Sequence, residues 1–132
     1  MSKILVVDDD NDLRVHLARA AKGDGREVFA AKDGEEAIQL IWQHEFDVIV
    51  TDLRMENDRA GIDVLKAAKE KDIYTQVIVI TNYGTPEVSI ETMRLGAFDY
   101  LERNSPGTNI PIMVKHKITL ALEFRKAKRG KE

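Results

Sequence analysis

Five short apolar runs recur along the chain, at Lys3–Val7, Glu27–Ala31, Phe46–Thr51, Gln76–Thr81 and Phe98–Leu101. The runs at Phe46–Thr51 and Val77–Ile80 are nearly continuous in β-branched and aromatic residues, as in parallel strands covered on both faces. The stretches between the runs have a helical period. Leu13, Leu17, Ala20 and Ala21 share one stripe, after candidate caps at Asp10 to Asp12 and before Gly25. A second helix starts at Asp33-Gly34, with Ala37, Ile38, Ile41 and Trp42 as its packing stripe. A third spans Ile62 to Lys71, and a fourth has Thr85 as N-cap, Pro86 in its first turn and Gly96 at its end. The last runs from Pro111 to Lys126. Strands alternating with helices predict an α/β domain, a doubly wound five-stranded parallel sheet with five helices.

In such a sheet, ligands gather beyond the carboxyl ends of the strands, where the strand order reverses. Those positions hold Asp8, Asp9 and Asp10 after the first strand, Asp52 after the third, Thr81 after the fourth and Arg103 after the fifth. Each alone has a plainer reading, since an Asp there caps a helix and a Thr closes a turn. Together they put acids, a hydroxyl and a cation on one rim, which capping does not require. Carboxylates crowded together raise one another's pKa, and a hard divalent cation with oxygen ligands relieves the conflict.

Composition narrows the classes. The 132 residues suit one domain, and 43% hydrophobic with 33% charged content suits a chain with one buried core. With no cysteine, disulfides and thiolate metal sites are excluded. The run at Ile4–Val7 is cut short by aspartates, too early for a signal peptide or membrane span, so a cytoplasmic protein is expected. The net charge of -3 hides an asymmetry, for the segment from Lys115 onward carries seven Lys/Arg against two Glu. Residues 127–132 read as a basic tail or the start of a linker after a domain of residues 1–126, with no direct nucleic-acid binding expected. His16, His44 and His116 are scattered and read as surface or packing residues. Gly23, Gly25 and Gly84 read as turn residues, because no phosphate-loop pattern occurs.

Four blocks resemble response-regulator receiver domains in order and spacing: Ile4-Leu-Val-Val-Asp-Asp-Asp, Val48-Ile-Val-Thr-Asp-Leu-Arg-Met, Val77-Ile-Val-Ile-Thr-Asn-Tyr-Gly and Leu95-Gly-Ala-Phe-Asp-Tyr-Leu. The resemblance covers roughly residues 3–125. It implies a flavodoxin-like sheet of strand order 2-1-3-4-5 and a two-component signalling role rather than an enzyme's. It further implies Asp52 as phosphoacceptor, with Mg²⁺ (or Mn²⁺) held by Asp9, Asp52 and the backbone carbonyl of Arg54, and with Asp8 holding metal-bound water. Thr81 would donate to the phosphoryl group, and Tyr100 would be the switch aromatic. The implied partners are a sensor histidine kinase or phosphotransfer protein and, on phosphorylation, a second copy of the chain. The implied output is the surface of the fourth helix, fifth strand and fifth helix.

The chain departs from the family's pattern at several places. Arg103 and Asn104 replace the usual Lys-Pro, which puts the cation's role in question because Arg and Lys are not interchangeable. The loop Met55–Gly61 lacks a Pro and is one residue longer, and Asn82 stands where a small residue is usual. Arg54 and Tyr83 sit where the family tunes dephosphorylation, giving an expectation of slow phosphoryl loss. Two alternatives stay open: a pseudo-receiver that binds partners without phosphorylation, and a Mg²⁺-dependent phosphohydrolase. The second would need an acid two residues after Asp52, where Arg54 stands.

Overall fold

The computed structural model describes residues 1–82 and 84–130. The elements alternate as β1 (Ser2–Val7), α1 (Asn11–Ala21), β2 (Arg26–Ala31), α2 (Gly34–Gln43), β3 (Val48–Asp52), α3 (Ala60–Lys71), β4 (Gln76–Thr81), α4 (Pro86–Arg94), β5 (Asp99–Glu102) and α5 (Ile110–Arg129). The strands form one parallel sheet in the order β2-β1-β3-β4-β5. The chain leaves β1 for β2 on one side and returns to β3 on the other, so the order reverses between β1 and β3. The crevice beyond their carboxyl ends is the place the sequence points to.

Because side chains alternate across a strand, each central strand feeds two cores. Leu5, Val7, Ile49, Val77 and Val79 face α2 and α3, where they meet Ala37, Ile41, Ile62 and Leu65. Ile4, Val6, Val48, Val50, Ile78 and Ile80 face α1 and α5, against Leu17, Ala21, Val114 and Ile118. All five residues of β3 and all six of β4 are buried, which accounts for their unbroken apolar runs. The edge strand β2 is only partly covered.

Helix starts follow the expected chemistry. Asp10, Asp33, Thr85 and Asn109 cap α1, α2, α4 and α5 by accepting from the backbone N–H three residues on. The start of α3 lacks such a cap and lies two residues before the expected Ile62. It is fixed instead by close approach. Gly61 donates its N–H to the Leu53 carbonyl at 2.8 Å, and a Cβ at Gly61 would lie 2.3 Å from the Asp52 carbonyl oxygen.

Several expectations need correcting. The third strand begins at Val48 rather than Phe46, because Phe46 joins an aromatic cluster with Phe29 and His44. It also includes Asp52, which pairs with Ile80 in the sheet register instead of following the strand. The fifth strand is displaced by one residue, since Phe98 packs against Phe124. Trp42 is 52% exposed and lies off the stripe of Ala37 and Ile41 that packs. His44, read as a surface or packing residue, is the C-cap of α2, and its ring packs against Phe29. The last helix continues to Arg129, so residues 127–129 prolong it beyond the expected Lys126. Arg125, one of the seven Lys/Arg counted from Lys115 onward, is 6% exposed and inside the fold.

Among the described residues, no helix is long and apolar enough to cross a membrane.

Candidate functional site

The strand ends converge at the crevice. Asp8 follows β1 directly and is fully buried, Asp52 ends β3 at 8% exposure, Thr81 ends β4 at 1%, and Arg103 follows β5. The rim is stitched by backbone hydrogen bonds: Leu53 N–H to the Ile80 carbonyl at 2.9 Å, and Arg103 N–H to the Thr81 carbonyl at 2.7 Å. These bonds extend the sheet past the last paired residues, so Asp52, Thr81 and Arg103 sit on rigid supports.

One carboxylate oxygen from each of Asp8, Asp9 and Asp52 can be chosen so that all lie within 4.8 Å of one another. Asp9 is exposed while the other two are buried, so the cluster opens to solvent on one side. The Asp8 Oδ1 accepts the Asp10 N–H at 2.9 Å, and its Oδ2 accepts from Arg103 Nη2 at 2.9 Å. Arg14 donates to the Asp8 carbonyl at 2.8 Å. The Asp52 Oδ1 accepts the Leu53 N–H at 2.8 Å. Asp10 belongs to the cap of α1 and not to the cluster, as the sequence suggests.

Burial and crowding disfavour charge here. The Asp52 carboxyl is pushed up to about 6, first by burial and next by the charge of Asp8, against the opposing pull of Arg103 and the Leu53 N–H. Asp8 is also raised, by burial first, with the Asp10 N–H and Arg103 opposing. Among the described residues, the guanidinium paired with the carboxylates of this cluster is that of Arg103, on Asp8, which leaves a formal imbalance that a divalent cation would offset. The donors are all oxygen, with no His or Cys among them, which fits the hard cations Mg²⁺ and Mn²⁺.

Thr81 and Tyr100 are brought together on neighbouring strands, with Val79 opposite Tyr100 in the register. The Tyr100 hydroxyl is buried and makes no well-formed hydrogen bond among the described residues, although the Thr81 hydroxyl is near enough to act on it. Burial pushes the phenol up, with Glu102 adding and Thr81 and Arg54 opposing. Gly84 makes room for that hydroxyl, since a Cβ there would lie 2.6 Å from it. The Arg54 side chain is half exposed, 4.0 Å from Asp58. Asn104 donates to the Asn82 carbonyl at 3.1 Å, tying the loop after β5 to that after β4. Tyr83 lies outside the described residues. His16 and His116 are exposed and are not members of the acidic cluster.

Three contributions were not foreseen. Glu56, in the longer loop, accepts from the Gly34 and Glu35 N–H groups at 2.8 and 3.0 Å, so it anchors that loop on the start of α2. Arg59 forms a two-pronged ion pair with Glu91 of α4, at 2.8 and 2.6 Å, linking the same loop to the fourth helix. Arg125 binds Asp47 at 2.7 Å and Asp72 at 3.2 Å, holding α5 to the residue before the central strand β3 and to the C-cap of α3. The sequence gives no advance notice of the first, because Glu56 lies 22 residues beyond the helix start that it anchors on. Residue spacing gives none of the other two, because both join positions more than 30 apart.

Comparison with known proteins bears directly on this geometry. The family model described as "Response regulator receiver domain" matches residues 4–115. The regulatory protein AtoC of Escherichia coli (strain K12) is 36% identical over 101 residues, which are 76% of this chain and 22% of AtoC. A putative response regulator, NtrX-like, of Rickettsia bellii is 26% identical over 127 residues, 96% of this chain and 26% of that protein. The chain therefore spans about a quarter of the length of these relatives. A response regulator receiver domain protein of Clostridium thermocellum superposes with a TM-score of 0.82 at 29% identity, covering 96% of this chain and 98% of that one.

Proposed function

The chain belongs to the response regulator receiver domain family of two-component signalling, and from that premise we propose that it is a phosphoacceptor switch modified on Asp52. The observation that carries this reading is the buried carboxylate of Asp52 at the end of β3, grouped with Asp8 and Asp9 and on the strand next to the one that Thr81 ends.

The donor would be a phosphohistidine on a sensor histidine kinase or phosphotransfer protein, or a small acyl phosphate. An Asp52 oxygen attacks phosphorus in line, forming the P–O bond as the P–N bond to histidine breaks. The departing nitrogen keeps the electron pair and takes a proton from solvent. The acid at position 52 must be ionised to attack, and its pKa near 6 leaves most of it ionised above neutrality. Asp9, Asp52 and the Arg54 carbonyl would hold a Mg²⁺ or Mn²⁺ ion, with Asp8 fixing its water. When bound, the cation supplies charge neutralisation of the acids and of the transferring group. Thr81 then donates its hydroxyl to a phosphoryl oxygen, and the Arg103 guanidinium suits another.

The new group adds charge and acceptor oxygens beside β4, where Thr81 and Tyr100 are already neighbours. Drawing in Thr81 redistributes the space around the Tyr100 hydroxyl and Gly84, at the foot of α4. The Arg59–Glu91 pair gives the loop after Asp52 a second handle on α4. The output surface is α4, β5 and α5, which would serve a downstream target or a second phosphorylated copy. A cytoplasmic location and slow dephosphorylation belong to the same reading.

A second reading is favoured by one contact: Arg103 already neutralises Asp8. A pseudo-receiver that binds partners in this form would need no phosphorylation. Intact-mass measurement after acetyl phosphate and Mg²⁺ distinguishes them. One added phosphoryl group on wild type and none on Asp52→Asn supports the switch; an unchanged mass for folded wild type sinks it.

A further inference from the structure

Both Asp8 oxygens are engaged within the chain, Oδ1 by the Asp10 N–H and Oδ2 by Arg103 Nη2. The side chains of this pair are 1% and 11% exposed, so water and salt screen it little. The Arg103 charge thus offsets the charge of Asp8 and occupies one lone pair of Oδ2, which weakens the pull of Asp8 on a metal-bound water for as long as Arg103 holds it.

We propose that Arg103 competes with the divalent cation for Asp8, so that the ion pair and the metal-loaded site exclude each other, and that phosphorylation ends the competition by giving Arg103 another acceptor. The proposal rests on reading Asp8, Asp9 and Asp52 as a cation site. A second observation points the same way. The Arg103 Nε is buried and has no hydrogen-bond partner among the described residues. A buried donor without an acceptor is unfavourable, and a phosphoryl group on Asp52 presents several oxygens to a forked donor. Arg103 has one good contact on Asp8 and an unused donor that a phosphoryl group would satisfy.

Linkage fixes the consequence. If phosphorylation removes Arg103 from Asp8, it raises metal affinity, and metal must raise phosphorylation equilibrium by the same factor. Arg103 is a positioning residue in this scheme before transfer and a phosphoryl ligand after it. A compact ammonium at the same place keeps the charge but lacks the fork, so the effects of charge and geometry separate in Arg103→Lys.

The test is calorimetric titration of the unphosphorylated chain with MgCl₂, for wild type, Arg103→Lys, Arg103→Gln and Asp9→Ala. The ¹⁵N Nε–H resonance of Arg103 is followed in wild type alongside it. Arg103→Gln should bind Mg²⁺ about tenfold more tightly, the scale of one lost charge-assisted competitor. Arg103→Lys should fall between it and wild type, and Asp9→Ala should abolish binding. The Arg103 Nε–H resonance should shift with the midpoint of the metal titration. If both Arg103 variants bind no more tightly than wild type while Asp9→Ala abolishes binding, the competition is wrong and the cation site stands. If Arg103→Gln gains but the Arg103 Nε–H resonance of wild type does not move with the metal titration, the guanidinium acts as a distant charge without leaving Asp8, and the competition is again overturned. If no variant binds Mg²⁺, the reading of the acidic cluster fails as well. Should Arg103→Gln not fold, Arg103→Lys and the resonance still decide.

Discussion

Asp52→Asn should stabilise the protein, against the usual expectation for replacing a buried polar residue. Folding lifts the Asp52 carboxyl from 3.8 to about 6, mainly through burial and then through Asp8. Its charged form is therefore disfavoured in the folded state. At about 1.4 kcal/mol per pH unit, that difference costs about 3 kcal/mol once the pH is well above 6. The sign follows from the two values. Below 3.8 the acid is protonated whether folded or not, and the penalty vanishes. It grows as the pH rises from 3.8 to 6 and is constant beyond. Asn carries no charge and keeps an oxygen for the Leu53 N–H, so it escapes the penalty without losing that hydrogen bond. Urea unfolding at pH 7.5 without divalent cation should show Asp52→Asn more stable by about 2–3 kcal/mol, falling to about 1 kcal/mol at pH 4.5. Saturating Mg²⁺ should stabilise wild type more than the variant. Equal midpoints at pH 7.5, or a difference that does not shrink toward pH 4.5, would refute the reasoning about charge and burial.

Other consequences reach different parts of the fold. Gly61→Ala puts a methyl group 2.3 Å from the Asp52 carbonyl oxygen, backbone that cannot yield cheaply. Its urea midpoint should fall by the equivalent of about 2–3 kcal/mol, and acetyl phosphate labelling should drop with it. Arg125→Ala leaves Asp47 and Asp72 facing each other without their cation, and unfolding should become easier by about 3 kcal/mol. Arg125→Met should cost less than Arg125→Ala, because it restores the packing of the stem; a larger loss for Met would contradict that account. Tyr100→Phe removes a buried hydroxyl that makes no well-formed hydrogen bond among the described residues, so thermal stability should change by less than about 1 kcal/mol.

Much of the architecture is legible in the chain because both cores rest on local periodicity. Val77–Ile80 reads as a two-faced strand and is one, with Val77 and Val79 on one side and Ile78 and Ile80 on the other. The rim is legible for the same reason: a parallel sheet delivers whatever follows each strand to one edge. Boundaries fail where a side chain is claimed by something distant. Phe46 leaves its strand for an aromatic cluster, and Arg125, part of the basic excess from Lys115 onward, is claimed by acids just before β3 and just after α3. Trp42 shows the converse, an apolar residue one step off the packing stripe of its helix and therefore half in solvent. The state of the site is equally hidden. Arg103 can be placed on the rim from sequence, but its hold on Asp8 depends on geometry between residues 95 apart.

The central claim, that Asp52 is the phosphoacceptor, is tested most directly at the level of the residue. After incubation with acetyl phosphate and Mg²⁺, borohydride reduction converts an acyl phosphate on aspartate into homoserine, which peptide mass spectrometry locates. The account predicts homoserine at position 52 in wild type, none in Asp52→Asn, and no conversion of Asp8 or Asp9. Conversion at Asp8 or Asp9 with Asp52 intact, or none in a folded protein supplied with phosphodonor and cation, would contradict it.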